Sequence, residues 1–188
     1  MAETNTVARS LHDLGLAAWF GGALMGVVGV NKSAAAVTTP DQRARVANAA
    51  WAAWTPVNAA AIAMHGVGGA LLVTNNRARL SGQSGVAAWT IVKTALTAGA
   101  LAATGYSRVL GQRIMNAGDV PVEDGVTPAQ QTPPDVASAQ RQLRLLQYVI
   151  PVLTGGMVVA SARMGEQQRP TEVVQGLFRR LIPDSLAA

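Results

Sequence analysis

Residues 14–31 read LGLAAWFGGALMGVVGVN, eighteen positions without Asp, Glu, Lys or Arg. A helix rises about 1.5 Å per residue, so about 20 residues cross the roughly 30 Å hydrocarbon layer of a membrane. A helix of a soluble bundle needs a charged stripe toward water, and this stretch carries none. It therefore reads as a membrane span. The same signal recurs three times: Val46–Asn76 has 31 residues without a charge, Leu80–Ser107 is broken only by Lys93, and Leu145–Ala162 has 18. The sequence predicts an all-α fold, a four-helix transmembrane bundle in up-down order. Its helices fall at about 11–31, 51–75, 86–111 and 141–163 within one membrane domain, 1–165.

The aromatic residues agree. Trp51 and Trp54 open the second run, Trp89 opens the third, Tyr106 closes it and Tyr148 opens the fourth. Trp and Tyr favour the headgroup level, where the ring is half buried and its polar end stays wet. Trp19 lies deeper and reads as a packing residue. The first run reads as an uncleaved helix: 18 residues is long for a signal core, and Asp13 weakens its positive end.

Of the 188 residues, 13% are charged, about half the share expected of a soluble protein. The absence of cysteine excludes a disulfide scaffold, zinc–thiolate sites and iron–sulfur clusters. The net charge of +5 consists of arginines flanking the apolar runs, with no aromatic-studded basic patch, so nucleic acid is not an expected partner.

Pro40-Asp41 starts like a helix, and Arg77–Gly85 reads as a tight polar loop. Residues 115–136 hold four acids and four prolines and read as a flexible acidic loop on one face of the membrane. Over 170–183, Val173, Val174, Leu177, Phe178, Leu181 and Ile182 share one face, with Arg179 and Arg180 opposite. This is the pattern of a short amphipathic helix on the lipid surface, with docking on a partner protein as the other reading. Basic residues divide seven to seven between the two sides, so the positive-inside rule gives no orientation. The basic tail and the acidic loop favour both termini in the cytoplasm.

In lipid, helices associate through close backbone approach and polar contacts. Helix one offers Gly15, Gly22, Gly26 and Gly29. Helix two offers Asn58, Ala61, His65 and Gly69. Helix three offers Thr90, Lys93, Thr97, Ala100, Thr104 and Ser107, and helix four offers Gln147, Pro151, Thr154, Val158 and Ser161. Pro151 is expected to kink its helix.

Counting residues from the helix ends places His12, Asp13, His65 and Lys93 in one leaflet, as a candidate polar cluster or ligand-binding site. His12 and Asp13 also suit an interface, and Lys93 can snorkel. His65 is too deep and too short for that, and an interhelical hydrogen bond would satisfy it. An Asp13–Lys93 pair would account for both charges. Three functional readings stay open beside these: His12 and His65 as axial haem ligands, His65 with Met64 on copper, or a proton relay or quinone site. No phosphate-cradling loop, nucleophile triad or carboxylate pair within a helix is present, so no catalytic residue, metal ligand set or cofactor is expected.

The run Leu11-His12-Asp13-Leu14, followed by Trp19 and Gly21-Gly22, resembles the opening helix of small bacterial membrane proteins related to the copper-resistance D group. The chain is still more similar to an uncharacterised family of short membrane proteins from high-GC bacteria, as its arginine and alanine excess suits. The resemblance implies a four-helix integral protein of the bacterial inner membrane, with copper suggested through His12 alone. The expected function is a structural or accessory role, as a homo-oligomer or a subunit of a membrane complex in contact with lipid. The alternative is a small transport, proton/quinone or haem/copper-binding protein built around His65.

Overall fold

A computed structural model describes residues 2–75, 77 and 84–166. The chain is all-helical there, with no β-strand among the described residues. Helix α1 covers Ala2–Met25 and continues through a π-helical turn at Gly26–Val30, one α-turn at Asn31–Ser33 and a 3-10 turn at Ala34–Ala36. Helix α2 is Pro40–Asn75, α3 is Ser84–Asn116 and α4 is Pro134–Glu166. Each is longer than its charge-free run. A helix of 36 residues such as α2 measures about 54 Å, so its ends project past a roughly 30 Å hydrocarbon layer. The extra turns are the charged ones: Asp41, Arg43 and Arg45 in α2, and Asp135, Arg141 and Arg144 in α4. Pro40 and Pro134 each stand first in their helix, where the missing N–H costs nothing. Both α2 and α4 run on through an internal proline, Pro56 and Pro151.

Three stretches, Asn5–Ala36, Pro40–Asn75 and Pro134–Gly165, are long and apolar enough to cross a membrane. Helix α3 is not among them. Lys93 and the threonines at 90, 94, 97 and 104 dilute its apolar content. Large aliphatic side chains nevertheless point outward on all four helices. Ile91 of α3 is 70% exposed and Val152 of α4 is 72% exposed. In water each would forgo about 1.5–3 kcal/mol of burial, so such a surface suits hydrocarbon.

The interior is built from two antiparallel pairs, α1 with α2 and α3 with α4, joined along α1 and α4; α2 and α3 touch only sparsely. Glycine allows the closest approach. A Cβ on Gly15 would stand 2.5 Å from the His65 backbone nitrogen, and one on Gly68 would stand 2.6 Å from the Ala8 carbonyl oxygen. Trp54 lies over Gly22 and Trp51 over Gly26. These tryptophans, expected at headgroup level, are therefore packing residues. Gly29 departs from the expected face, since its only near neighbour is Met25 of its own helix. On α2 the contact residue is Gly68, with Gly69 beside it, and on α4 Val158 faces outward at 42% exposure. Leu16, Trp19, Ala100, Ala103, Ile150 and Met157 form the central apolar core.

The segment between α3 and α4 differs from the flexible loop expected. Val122, Val126 and Val136 are buried against Ala44, Leu110, Ile114 and Leu143. Gly118, at φ +75°, closes the C-terminus of α3 in the left-handed conformation that glycine tolerates. The Asp124 carboxylate then accepts bonds from the N–H groups of Val126 (2.8 Å) and Thr127 (2.7 Å) and from the Thr127 hydroxyl (2.9 Å). Arg43 donates to the carbonyls of Val37 (2.8 Å) and Val122 (3.3 Å), which ties the loop to the α1–α2 turn. The loop is thus a packed cap, because three valines interleave with its acids and prolines. Asp124→Ala is expected to cost about 2 kcal/mol by leaving two N–H groups without their acceptor. Faster proteolytic nicking between residues 117 and 133 would report it.

The amphipathic segment 170–183, with Phe178, Arg179 and Arg180, lies outside the described residues, as does most of the Arg77–Gly85 connection.

Candidate functional site

Helices α1 and α2 bring His12 and His65 together. Each is 4% exposed, and their ring centres are 4.2 Å apart at a tilt of 42°. The Gly15 and Gly68 contacts on either side force this proximity. His65 Nδ1 lies 3.1 Å from the His12 carbonyl oxygen, and His12 Nδ1 lies 2.8 Å from the Asp13 carboxylate. Both partners are acceptors, so each ring carries its proton on Nδ1. Asp13 itself stays 55% exposed. Trp19 sets its edge toward His65, with ring centres 6.2 Å apart, and donates its indole N–H to Thr104 of α3 at 3.3 Å.

Lys93 stands on the other helix pair. Its ammonium donates to Ser161 of α4 at 2.6 Å. It is within electrostatic reach of His12, His65 and Asp13, but the hydrogen-bond partner of the Asp13 carboxylate is His12. Of the four residues expected to cluster, three therefore meet directly and the fourth is a neighbour held by α4. Thr97 donates to the Lys93 carbonyl (2.8 Å) and lies 2.9 Å from Met157 Sδ.

A second polar knot lies toward the loop-side end, and the sequence reading passed over it. Asn31, 3% exposed, donates to the Gln147 side chain of α4 and accepts the indole N–H of Trp51 from α2 at 3.0 Å. Its carbonyl accepts the N–H of Gly125 from the loop at 3.1 Å. Asn31 points inward because of the π turn: its own N–H bonds back to Gly26, five residues earlier, and the extra residue rotates all that follows. Among the described residues, buried polar side-chain atoms left without a partner are Ser107 Oγ and both amide atoms of Gln140.

A cavity of about 240 Å³ opens where α2 and α3 diverge. Trp19, Trp51 and Trp54 line it, with Asn48, Ser107 and Arg108 among its polar groups.

This geometry does not suit haem. Two axial imidazoles bound at about 2 Å on opposite faces of an iron have ring centres roughly 6 Å apart. The 4.2 Å ring contact leaves no room for a macrocycle between His12 and His65. Among the described residues no group of three or more His, Cys, Asp or Glu is arranged to hold a metal ion.

The arrangement does suit interhelical clamping. His65→Ala is expected to lower stability by about 2 kcal/mol, through lost ring packing and the lost bond to the His12 carbonyl. His65→Asn keeps an N–H near the Nδ1 position and should recover about half of that loss. Unfolding in graded sodium dodecyl sulfate, followed by circular dichroism, measures both. No family model, curated protein or solved structure matches this chain.

Proposed function

We propose that the chain is a multi-pass protein of the bacterial inner membrane. It crosses four times in up-down order with both termini cytoplasmic, and it serves as a structural or accessory component, as a homo-oligomer or a subunit of a membrane complex. One observation carries this reading: three buried or part-buried polar side chains, His65, Lys93 and Asn31, are engaged in bonds between helices. His65 holds α2 to α1, Lys93 holds α3 to α4, and Asn31 gathers α1, α2 and α4. Groups tied up in this way hold a scaffold together and leave little chemistry for turnover. The acidic cap at one end supports the orientation, since the opposite end then meets anionic cytoplasmic lipid.

Size-exclusion chromatography with light scattering in a mild detergent tests the role. The expected species contains at least two copies of the 19.4 kDa chain or a stoichiometric partner. A clean monomer with no co-purifying protein overturns the assembly role.

A second reading rests on the series Asp13, His12, His65, exposed at its first member and buried at the other two. Such a series can pass a proton. Proton flux into liposomes that is lost in His65→Asn, while the protein stays folded, would favour it.

A further inference from the structure

We propose that the cleft between α2 and α3 binds one chain of an anionic amphiphile, its carboxylate or phosphate at Arg108 and its hydrocarbon running past Trp54 toward Ile62. The inference stands whether or not the chain assembles with a partner.

Height places the head. Asn48 lies eight residues into α2 and Arg108 eight residues before the end of α3, so both stand about 12 Å in from the loop-side helix ends. Helices of 36 and 33 residues measure about 54 and 50 Å and exceed a roughly 30 Å hydrocarbon layer by about 10–12 Å at each end. The mouth of the cleft therefore lies at headgroup level, where a basic side chain attracts anionic groups. Arg108 is exposed and forms no ion pair among the described residues.

Chemistry places the rest. Ser107 Oγ lines the cleft, is buried and has no hydrogen-bond partner, so an ester or carboxyl oxygen just below the head would satisfy it. Beyond it the walls are mainly apolar. Trp51 and Trp54 are fixed by their stacking over Gly26 and Gly22, which makes the cleft a standing feature of the packing. A volume of about 240 Å³ is below the roughly 300 Å³ at which pockets for drug-sized molecules begin, so a narrow chain fits better than a ring system.

The test uses the full chain in phosphatidylcholine nanodiscs and reads tryptophan quenching by three brominated probes: phosphatidylglycerol, phosphatidylcholine and stearate. The anionic probes are expected to reach half-quenching at about fivefold lower mole fraction than the zwitterionic one, the worth of one basic residue at an anionic surface. Arg108→Gln should erase that preference. Gly105→Leu should fill the cleft and weaken quenching by all three, because a Cβ at Gly105 meets no atom within 4 Å and the longer side chain has the open cleft to enter; an unchanged circular dichroism spectrum checks that the fold is kept. Preference for phosphatidylglycerol alone identifies a membrane phospholipid as the source, and preference for stearate alone identifies a free fatty acid. Equal quenching by all probes, unchanged in both variants, overturns the proposal.

Discussion

Gly68→Ala is expected to separate α1 from α2 and to cost more than about 3 kcal/mol, the upper part of the range for overpacking. The new Cβ would stand 2.6 Å from the Ala8 carbonyl oxygen and 2.8 Å from the His12 Cα. Both obstacles are backbone, so no side-chain rotation relieves the clash and the helices must move apart. The movement would also open the 4.2 Å contact between His12 and His65, adding its loss to the strain. Gly15→Ala should behave in the same way against Ala61 and His65. Gly66→Ala is the internal control. Nothing lies within 4 Å of its added methyl, and it should be neutral or gain up to about 1 kcal/mol of helix propensity. Detergent unfolding of the three variants side by side checks the contrast.

Asn31→Leu is expected to cost about 2–4 kcal/mol, because one substitution orphans the Gln147 amide and the Trp51 indole N–H together. A second consequence distinguishes this from simple loss of packing. Removing Gln147 as well, in Asn31→Leu with Gln147→Leu, should recover about 1 kcal/mol or more, since the Gln147 amide is then no longer buried without its partner. Strict additivity of the two changes would show that the pair contributes nothing as a pair.

The long helices were legible because charge is forbidden in hydrocarbon, and gaps such as 14–31 record that prohibition directly. That His12 and His65 lie at similar height along the bundle was legible from residue counts, at about 1.5 Å per step. Azimuth was not. Lys93 faces Ser161 of α4 because of how α3 is rotated in its pair, which height alone does not determine. Asn31 was hidden at the last position of its run, and a π turn with no sequence signature of its own aims it inward. The loop was misread because prolines and acids dominate its composition, while Val122 and Val126 decide its packing. The start of α2 and both ends of α4 extend past the expected bounds, because these helices continue into charged turns such as that of Asp41, Arg43 and Arg45.

Four crossings are the central claim, and α3, interrupted by Lys93, is the crossing most in need of a direct test. The chain has no cysteine, so single cysteines can be placed without background. Thr38→Cys and Ala117→Cys lie at the end of the molecule that the α3–α4 loop caps, and Asn75→Cys lies at the other end of α2; all three positions are exposed. Labelling by a membrane-impermeant maleimide in intact cells, compared with permeabilised ones, assigns each to a side. The expected result is that Thr38→Cys and Ala117→Cys label from outside and Asn75→Cys only after permeabilisation. Asn75→Cys and Ala117→Cys labelling from the same side would mean that α3 does not cross, and would contradict the four-span account.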